Sequence, residues 1–209
     1  MIQLLKSIYQ KFLNTYPYSD YSFKHKCIFI HIPKAAGTSI IKAFGGNTKK
    51  RVHATWREYN YKSNIRFNSY RKFSVVREPI SRFVSAYSYL IQGGNQTTDL
   101  TYVTYLSQFK GINDFIINGI DNTFIYNSLL FKPQNNFIFN EFNECKVDDI
   151  IKIEEIDKLN LYLSDLLENN VEISNYNKSK CAGENLSDTA VNKLKEIYKD
   201  DYILLGYKL

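Results

Sequence analysis

A lysine, small residues and two hydroxyl residues follow a short apolar run early in the chain. From Cys27 to Ser39 the sequence reads C-I-F-I-H-I-P-K-A-A-G-T-S, and an apolar, helix-like I-I-K-A-F comes directly after it. A strand that delivers a tight loop onto a helix favours an anion, because the N–H groups of the loop and the helix dipole both point to it. We therefore predict that a phosphate binds at Lys34, Ala35, Ala36, Gly37, Thr38 and Ser39.

This loop differs from the Walker nucleotide-binding loop, in which the lysine directly follows the last glycine and precedes the hydroxyl residue. Here Lys34 stands three residues before Gly37, and Thr38 and Ser39 follow the glycine. The N–H groups of residues 37–39 can still surround a phosphate, whereas the lysine enters from the opposite side of the turn. The simpler alternative is a basic residue in a surface loop, but the flanking strand and helix favour phosphate binding.

A second strand–turn–helix segment lies between Lys72 and Ile91. Phe73–Val76 predicts a short buried strand, and Pro79 suits the first position of a helix. The apolar spacing that follows predicts a helix face packed on the core, formed by Ile80, Phe83, Val84, Tyr87, Leu90 and Ile91.

Arg77 comes at the carboxyl end of this second strand, where open α/β sheets bind ligands. Ser85 approaches the same space from the helix behind it. A guanidinium group and a hydroxyl suit a second, isolated phosphate. The alternative is that Arg77 pairs with a carboxylate such as Glu78 and that Ser85 lies on a polar helix face. Two such segments in one chain favour a ligand with two phosphate-bearing ends.

The length and composition fit one α/β domain over residues 1–209, with residues 1–25 as an N-terminal amphipathic extension. The apolar spacing of residues 1–16 predicts a helix that docks on the domain or on a membrane or partner surface. No run approaches the ~20 apolar residues of a transmembrane helix, and the N-terminus lacks the pattern of a signal peptide. The sequence carries no pattern that predicts an oligomeric state.

The balance of charges, 27 basic against 21 acidic residues, gives a net charge of +6 that suits anionic ligands. The basic residues are spread along the chain, which argues against nucleic acid as a partner. The three cysteines lack C-x-x-C spacing, so we expect reduced thiols in the cytoplasm rather than disulfides or a zinc site. No acidic or histidine cluster predicts a metal.

The two segments resemble the carbohydrate sulfotransferases, in the branch of sulfotransferase family 2 that includes the heparan-sulfate 2-O- and chondroitin-type enzymes. Ile32–Ser39 matches the family loop I-P-K-x-x-G-T-S, and Val76–Tyr87 matches V-R-[DE]-P-x-x-R-x-x-S-x-Y. Weaker similarity extends the resemblance over roughly residues 27 to 207, at Pro133-Gln134, Ile150–Glu154, Asn177–Ser179 and Tyr198–Tyr207.

The resemblance implies a three-layer α/β fold with a central parallel sheet flanked by helices and a P-loop-like phosphate site. It implies 3′-phosphoadenosine 5′-phosphosulfate (PAPS) as the sulfuryl donor, with 3′,5′-phosphoadenosine as the product and a carbohydrate or other hydroxyl compound as the acceptor. The 5′-phosphosulfate is then expected at Lys34–Ser39 and the 3′-phosphate at Arg77 and Ser85. Sulfuryl transfer resembles phosphoryl transfer, so Lys34 suits the charge that builds on the leaving phosphate.

The resemblance also assigns a histidine general base, and His53 lies in the corresponding segment. Its ordinary pKa near 6.5 suits abstraction of a hydroxyl proton. His31, directly before the loop, is expected to have a structural or supporting role. Glu58, Glu78 and Glu154 stay open as alternative carboxylate bases.

Two further segments are candidates for the acceptor side. Arg51, Arg57 and Arg66 alternate with aromatic residues and form either an acceptor-binding surface or an ordinary exposed loop. Residues 92–98 predict a flexible loop that covers the acceptor, and Asn177–Ser179 could close over the nucleotide.

Two other functions remain compatible with these residues. A small-molecule kinase of the P-loop type should carry its lysine after the glycine, and this feature is absent. A non-catalytic nucleotide- or glycan-binding relative would keep the cofactor motifs without turnover.

Overall fold

The sheet consists of parallel strands whose carboxyl ends share one edge. The computed structural model describes residues 15–49, 51–173 and 185–209, and within them three strands form one sheet in the order β1–β2–β3. They are β1 (Cys27–Ile30), β2 (Arg71–Val76) and β3 (Asp149–Lys152). Phe29 lies opposite Phe73 in the first pair, and Ser74 lies opposite Ile150 in the second.

Each strand leads through a short connection into a helix or a group of helices. The helices are α1 (Asp20–His25), α2 (Gly37–Ala43), α3 (Trp56–Lys62), α4 (Asn64–Ser69), α5 (Pro79–Ile91), α6 (Leu100–Leu106), α7 (Ile112–Asp114), α8 (Asn122–Asn127), α9 (Asn135–Ile138), α10 (Ile156–Leu167), α11 (Asp188–Ile197) and α12 (Lys199–Leu204). A π-helical turn over Phe115–Gly119 follows α7.

Both faces of the sheet are buried, as expected for parallel strands. On one face Phe29 and Phe73 pack against residues of α2 and α10, including Ile40 and Leu159. On the other face the alternate strand residues, among them Ile28 and Ile30, pack against Tyr59, Phe67 and Phe137 of α3, α4 and α9. The prediction of a parallel sheet flanked by helices is therefore confirmed.

A third apolar cluster packs along α5 and fixes the helix that carries Ser85. It is rich in aromatic side chains that include Phe83, Phe115, Phe131 and Tyr198. Pro79 occupies the first turn of α5, as predicted. Ile91 was expected to face the core, but it is 56% exposed because α5 ends there.

The carboxyl-terminal helices begin with α10, whose apolar residues Leu159 and Leu163 are buried. Ser187 caps α11 by accepting the N–H of Ala190. The residues at 1–14, Asn177–Ser179 and Cys181 lie outside the described residues.

Among the described residues, no helix combines the length and apolarity needed to cross a bilayer.

Candidate functional site

The loop between β1 and α2 contains two non-glycine residues with left-handed backbone, Lys34 (φ 69°) and Ala36 (φ 60°). Such conformations cost roughly 1–3 kcal/mol each, and they occur at sites where the surrounding structure holds them. Alternation between left- and right-handed residues turns successive N–H groups toward one concave side, which binds anions. The backbone of the loop is thus shaped for an anion before any side chain is considered.

The first turn of α2 determines which loop donors face a ligand. The N–H of Ser39 donates to the carbonyl of Ala36 at 3.0 Å. Gly37 and Thr38 begin the helix, where N–H groups have no partner four residues earlier. Of the three N–H groups expected at the phosphate, those of Gly37 and Thr38 are therefore available, and Ser39 offers its hydroxyl.

The ring of His31 packs directly beneath the loop at Gly37. A Cβ atom at position 37 would stand only 1.8 Å from Nε2 of His31. His31 is 4% exposed, and its ring stacks on Phe29 with the centroids 5.5 Å apart. The glycine of the loop is therefore required by the close approach of the histidine ring, which agrees with the structural role expected for His31.

His53 is held against the same histidine. Its Nδ1 lies 3.0 Å from the main-chain oxygen of His31, and the two ring centroids are 4.1 Å apart. Because a carbonyl only accepts, Nδ1 carries the proton and Nε2 keeps its lone pair. Burial lowers the pKa of His53, and the nearby Arg51 lowers it further against the opposing effect of the carbonyl bond. The ring is thus neutral at pH 7 and able to accept a proton at Nε2.

The three alternative carboxylates are engaged elsewhere. Glu58 accepts the N–H of Thr55 at the start of α3, and Glu78 accepts the hydroxyl of Tyr202 while capping α5. Glu154 accepts the N–H of Glu78 at 2.8 Å. In the described part of the chain, none of the three lines the cavity that contains His53.

Arg77 lies at the carboxyl end of β2, and Gln134 fixes its main chain. The Gln134 amide accepts the N–H of Arg77 at 3.0 Å and donates to its carbonyl at 2.7 Å. Asp201, which is fully buried, accepts the N–H groups of Gln134 and Asn135, both at 2.8 Å. The carboxyl-terminal segment thereby holds the main chain of Arg77 in place.

Arg82, the other arginine of the second motif, has a structural role. It is fully buried, and its guanidinium donates to the carbonyls of Leu130, Phe131 and Lys132. Because Leu130 lines the cavity, Arg82 supports one wall of the site from behind.

The loop residues Lys34 and 36–39 surround one cavity of about 880 Å³ together with His53, Arg77 and Ser85. Ala35, predicted to bind the phosphate, is buried and does not line this cavity. Among the described residues that line it, Lys34, Lys49, Arg51 and Arg77 are cationic, and Asp99 is the one carboxylate. Hydroxyl groups complete the wall. The complete lining is His31, Pro33, Lys34, Ala36, Gly37, Thr38, Ser39, Lys49, Arg51, His53, Arg77, Ser85, Ser88, Tyr89, Gln92, Asn95, Thr98, Asp99, Tyr102, Leu129 and Leu130.

Lys34 is half-buried among these charges. Burial lowers its pKa to about 8, the cations of Arg77 and Arg51 act in the same direction, and Asp99 opposes them. Its Nζ lies 4.3 Å from the centroid of the Tyr89 ring. An arrangement of cations, N–H donors and hydroxyls around a neutral histidine can bind a polyanion and deprotonate a neighbouring hydroxyl.

The structure separates the arginines that the sequence grouped together. Arg51 lines the cavity, whereas Arg57 pairs with Glu141 and Arg66 lies over the rings of Tyr18 and Phe23.

Residues 92–98, expected to cover the acceptor, line the cavity through Gln92, Asn95 and Thr98. Tyr89 and Asp99 were not predicted. The spacing of Tyr89, one helical turn after Ser85, is the signal that would have found it.

No group of three or more histidine, cysteine, aspartate or glutamate side chains is arranged to hold a metal ion within residues 15–49, 51–173 and 185–209.

Comparison with known proteins gives one family match. A family model described as "Sulfotransferase family" matches residues 18–208, which include every element described above. No curated protein matches the sequence.

Proposed function

The chain belongs to the sulfotransferase family, and we propose that it transfers a sulfuryl group from PAPS to a hydroxyl of a carbohydrate acceptor. The observation that carries this proposal is the convergence of three groups on one cavity: the loop residues Lys34 and 36–39, the pair Arg77 and Ser85, and His53. Two separate anion-binding groups suit a nucleotide with phosphates at both ends, and a neutral histidine suits an acceptor hydroxyl.

The residues present fit this donor. Near Lys34 the N–H groups of Gly37 and Thr38 and the hydroxyl of Ser39 are donors suited to a phosphosulfate. Arg77 offers a planar fork of N–H donors, which matches a terminal phosphate. When bound, PAPS supplies an activated sulfuryl group and leaves as 3′,5′-phosphoadenosine.

Each residue then has a defined task. Lys34 places a positive charge where negative charge develops on the leaving phosphate. The loop N–H groups and hydroxyls hold the phosphosulfate, and Arg77 with Ser85 fixes the other end. His53 accepts the acceptor proton at Nε2, while its Nδ1–H stays bonded to the His31 carbonyl.

Finer assignments belong to the same proposal. The two motifs support the heparan-sulfate 2-O- and chondroitin-type branch, with the three-layer, P-loop-like arrangement of that branch. We also propose a reducing compartment, the cytoplasm, because Cys27 and Cys145, the cysteines among the described residues, form no disulfide with each other.

Ligand-dependent thermal stability tests the cofactor assignment. The protein is titrated with 3′,5′-phosphoadenosine, with 5′-AMP and with ATP–Mg²⁺, since binding to the folded state raises the unfolding temperature. We expect 3′,5′-phosphoadenosine to stabilise the protein most. Preference for ATP–Mg²⁺ with indifference to the 3′-phosphate would contradict the proposal. A transfer assay with labelled PAPS and a glycan panel then separates an enzyme from a non-catalytic binder.

A further inference from the structure

The ring of Tyr89 lies against the ammonium group of Lys34, with Nζ 4.3 Å from the ring centroid. We propose that Tyr89 is a positioning residue, which holds Lys34 on its ring face and connects it through its hydroxyl to Asp99 and Arg51. The inference rests on the proposed function of the site. It adds a residue that lies outside both sequence motifs.

Three parts of the site meet at Tyr89. The residue stands on α5, one turn after Ser85, and lines the cavity. Its hydroxyl interacts with Asp99 and Arg51: burial and the hydrogen bond to Asp99 raise its pKa, and Arg51 lowers it. Asp99 in turn accepts the N–H of Asn95 at 2.9 Å and so holds the loop after α5.

Arg51 extends the connection toward the base. It stands two residues before His53, and its charge acts on the rings of both His53 and His31. The ring face of Tyr89 therefore contacts Lys34, and its hydroxyl reaches Arg51 in the segment before His53 and Asp99 at the end of the loop after α5.

Lys34 needs such a support because its surroundings act against its charge. The charged or titratable groups that face it are Arg77 after β2, Arg51 before α3, Asp99 before α6, and Tyr89 on α5. Two of these, Arg77 and Arg51, are cations that lower the pKa of Lys34, and burial lowers it as well. A ring face attracts an ammonium group without presenting an anion that would compete with the phosphate. It also restricts a long, flexible side chain to one direction.

The substitution Tyr89→Leu removes the ring. The charged form of Lys34 then loses its partner, so its pKa falls further below about 8. Binding and turnover that need a charged Lys34 are lost as pH rises through that pKa of the free protein, and the basic limb of the kcat/KM profile therefore moves to lower pH. We expect kcat/KM at pH 8 to fall about tenfold, the size of a desolvated cation–π contact, with a smaller loss at pH 6.5.

The substitution Tyr89→Phe is the matched control for the ring. It keeps the face toward Lys34 and removes only the hydroxyl contacts to Asp99 and Arg51. We expect its basic limb to stay at the wild-type position, with its main effect on KM through the loop. Tyr61→Leu makes the same tyrosine-to-leucine substitution at a position that is 95% exposed and outside the cavity, and it should leave the kcat/KM profile unchanged.

Direct titration of Lys34 keeps the test independent of turnover. The side-chain ammonium is followed by NMR in isotope-labelled protein, with the signal assigned through Lys34→Arg. We expect titration near pH 8 in the wild type and in Tyr89→Phe, and at lower pH in Tyr89→Leu. An unchanged titration in Tyr89→Leu, or equal shifts in both variants, would overturn the proposal. If the titrations are as expected but the protein transfers no sulfuryl group from PAPS, the role of Tyr89 is supported and the proposed function is contradicted.

Discussion

The main-chain oxygen of His31 accepts the Nδ1–H of His53 at 3.0 Å. This bond selects the tautomer of His53 in which Nε2 is free, so the segment that connects β1 to the loop also orients the proposed base. The ring of His31 meanwhile packs against Gly37 of the loop. His31 thus fixes the distance between His53, the proposed base, and the loop that is proposed to bind the phosphosulfate.

The acid limb of the pH–rate profile tests His53. Burial lowers the pKa of His53 below the ordinary value near 6.5, so the neutral, proton-accepting form predominates at pH 7 and is lost as pH falls through the lowered pKa. We expect the acid limb of the kcat/KM profile to lie below pH 6.5, where an ordinary histidine would place it. His53→Ala should reduce kcat by about 10²–10⁴-fold, the usual contribution of a general base. Full turnover in that variant would assign the base to another residue.

The contact between Gly37 and His31 is tested by a double-mutant cycle. Gly37→Ala places a Cβ 1.8 Å from the imidazole and should displace the loop, weakening 3′,5′-phosphoadenosine binding at least tenfold. The double variant Gly37→Ala/His31→Ala removes the clash. It should bind more tightly than Gly37→Ala alone, with His31→Ala as the reference. Binding is measured by calorimetry. Additive losses of binding free energy would mean that a Cβ at position 37 does not meet the His31 ring.

The proposed contact between Arg77 and the 3′-phosphate is tested with two ligands that differ only in that phosphate. Arg77→Ala should weaken 3′,5′-phosphoadenosine binding by roughly 10- to 100-fold, the usual size of a charge-assisted contact, and leave 5′-AMP binding unchanged. Gln134→Leu should have the same selectivity with a smaller effect. It removes the two hydrogen bonds, of 3.0 and 2.7 Å, by which the Gln134 amide holds the main chain of Arg77. Equal losses for both ligands would place Arg77 elsewhere on the nucleotide.

Arg82 is expected to matter for stability. Arg82→Met leaves the carbonyls at 130–132 without their donor, and we expect a loss of about 3 kcal/mol in the free energy of unfolding. Arg57→Met, which removes an exposed ion pair with Glu141, should cost less than about 1 kcal/mol. Urea unfolding of both variants checks the difference, and equal midpoints would contradict the structural role of Arg82.

The sequence predicts the local parts of this site well. The strand, loop and helix around Lys34 and the position of Arg77 at a strand end follow from patterns within about twenty residues. His53 came from the family resemblance, since a single histidine in a loop carries little signal of its own.

The long-range contacts could not be predicted in this way. Gln134 lies 57 residues from Arg77 and 67 from Asp201, and no periodicity connects them. The distinction between Arg51 at the cavity and Arg57 on the surface likewise depends on how the segment folds back over the sheet. Such relationships arise from tertiary packing, which a single sequence does not display.

Transfer of label from sulfur-labelled PAPS to a panel of hydroxyl-bearing glycans tests the central claim most directly. The account predicts that the wild-type protein labels at least one glycan and releases 3′,5′-phosphoadenosine in equal amount. It predicts that Lys34→Ala and His53→Ala, with unchanged thermal unfolding, do both at least about 100-fold more slowly. Formation of 3′,5′-phosphoadenosine and labelled glycan at equal rates by the wild type and by Lys34→Ala would contradict it.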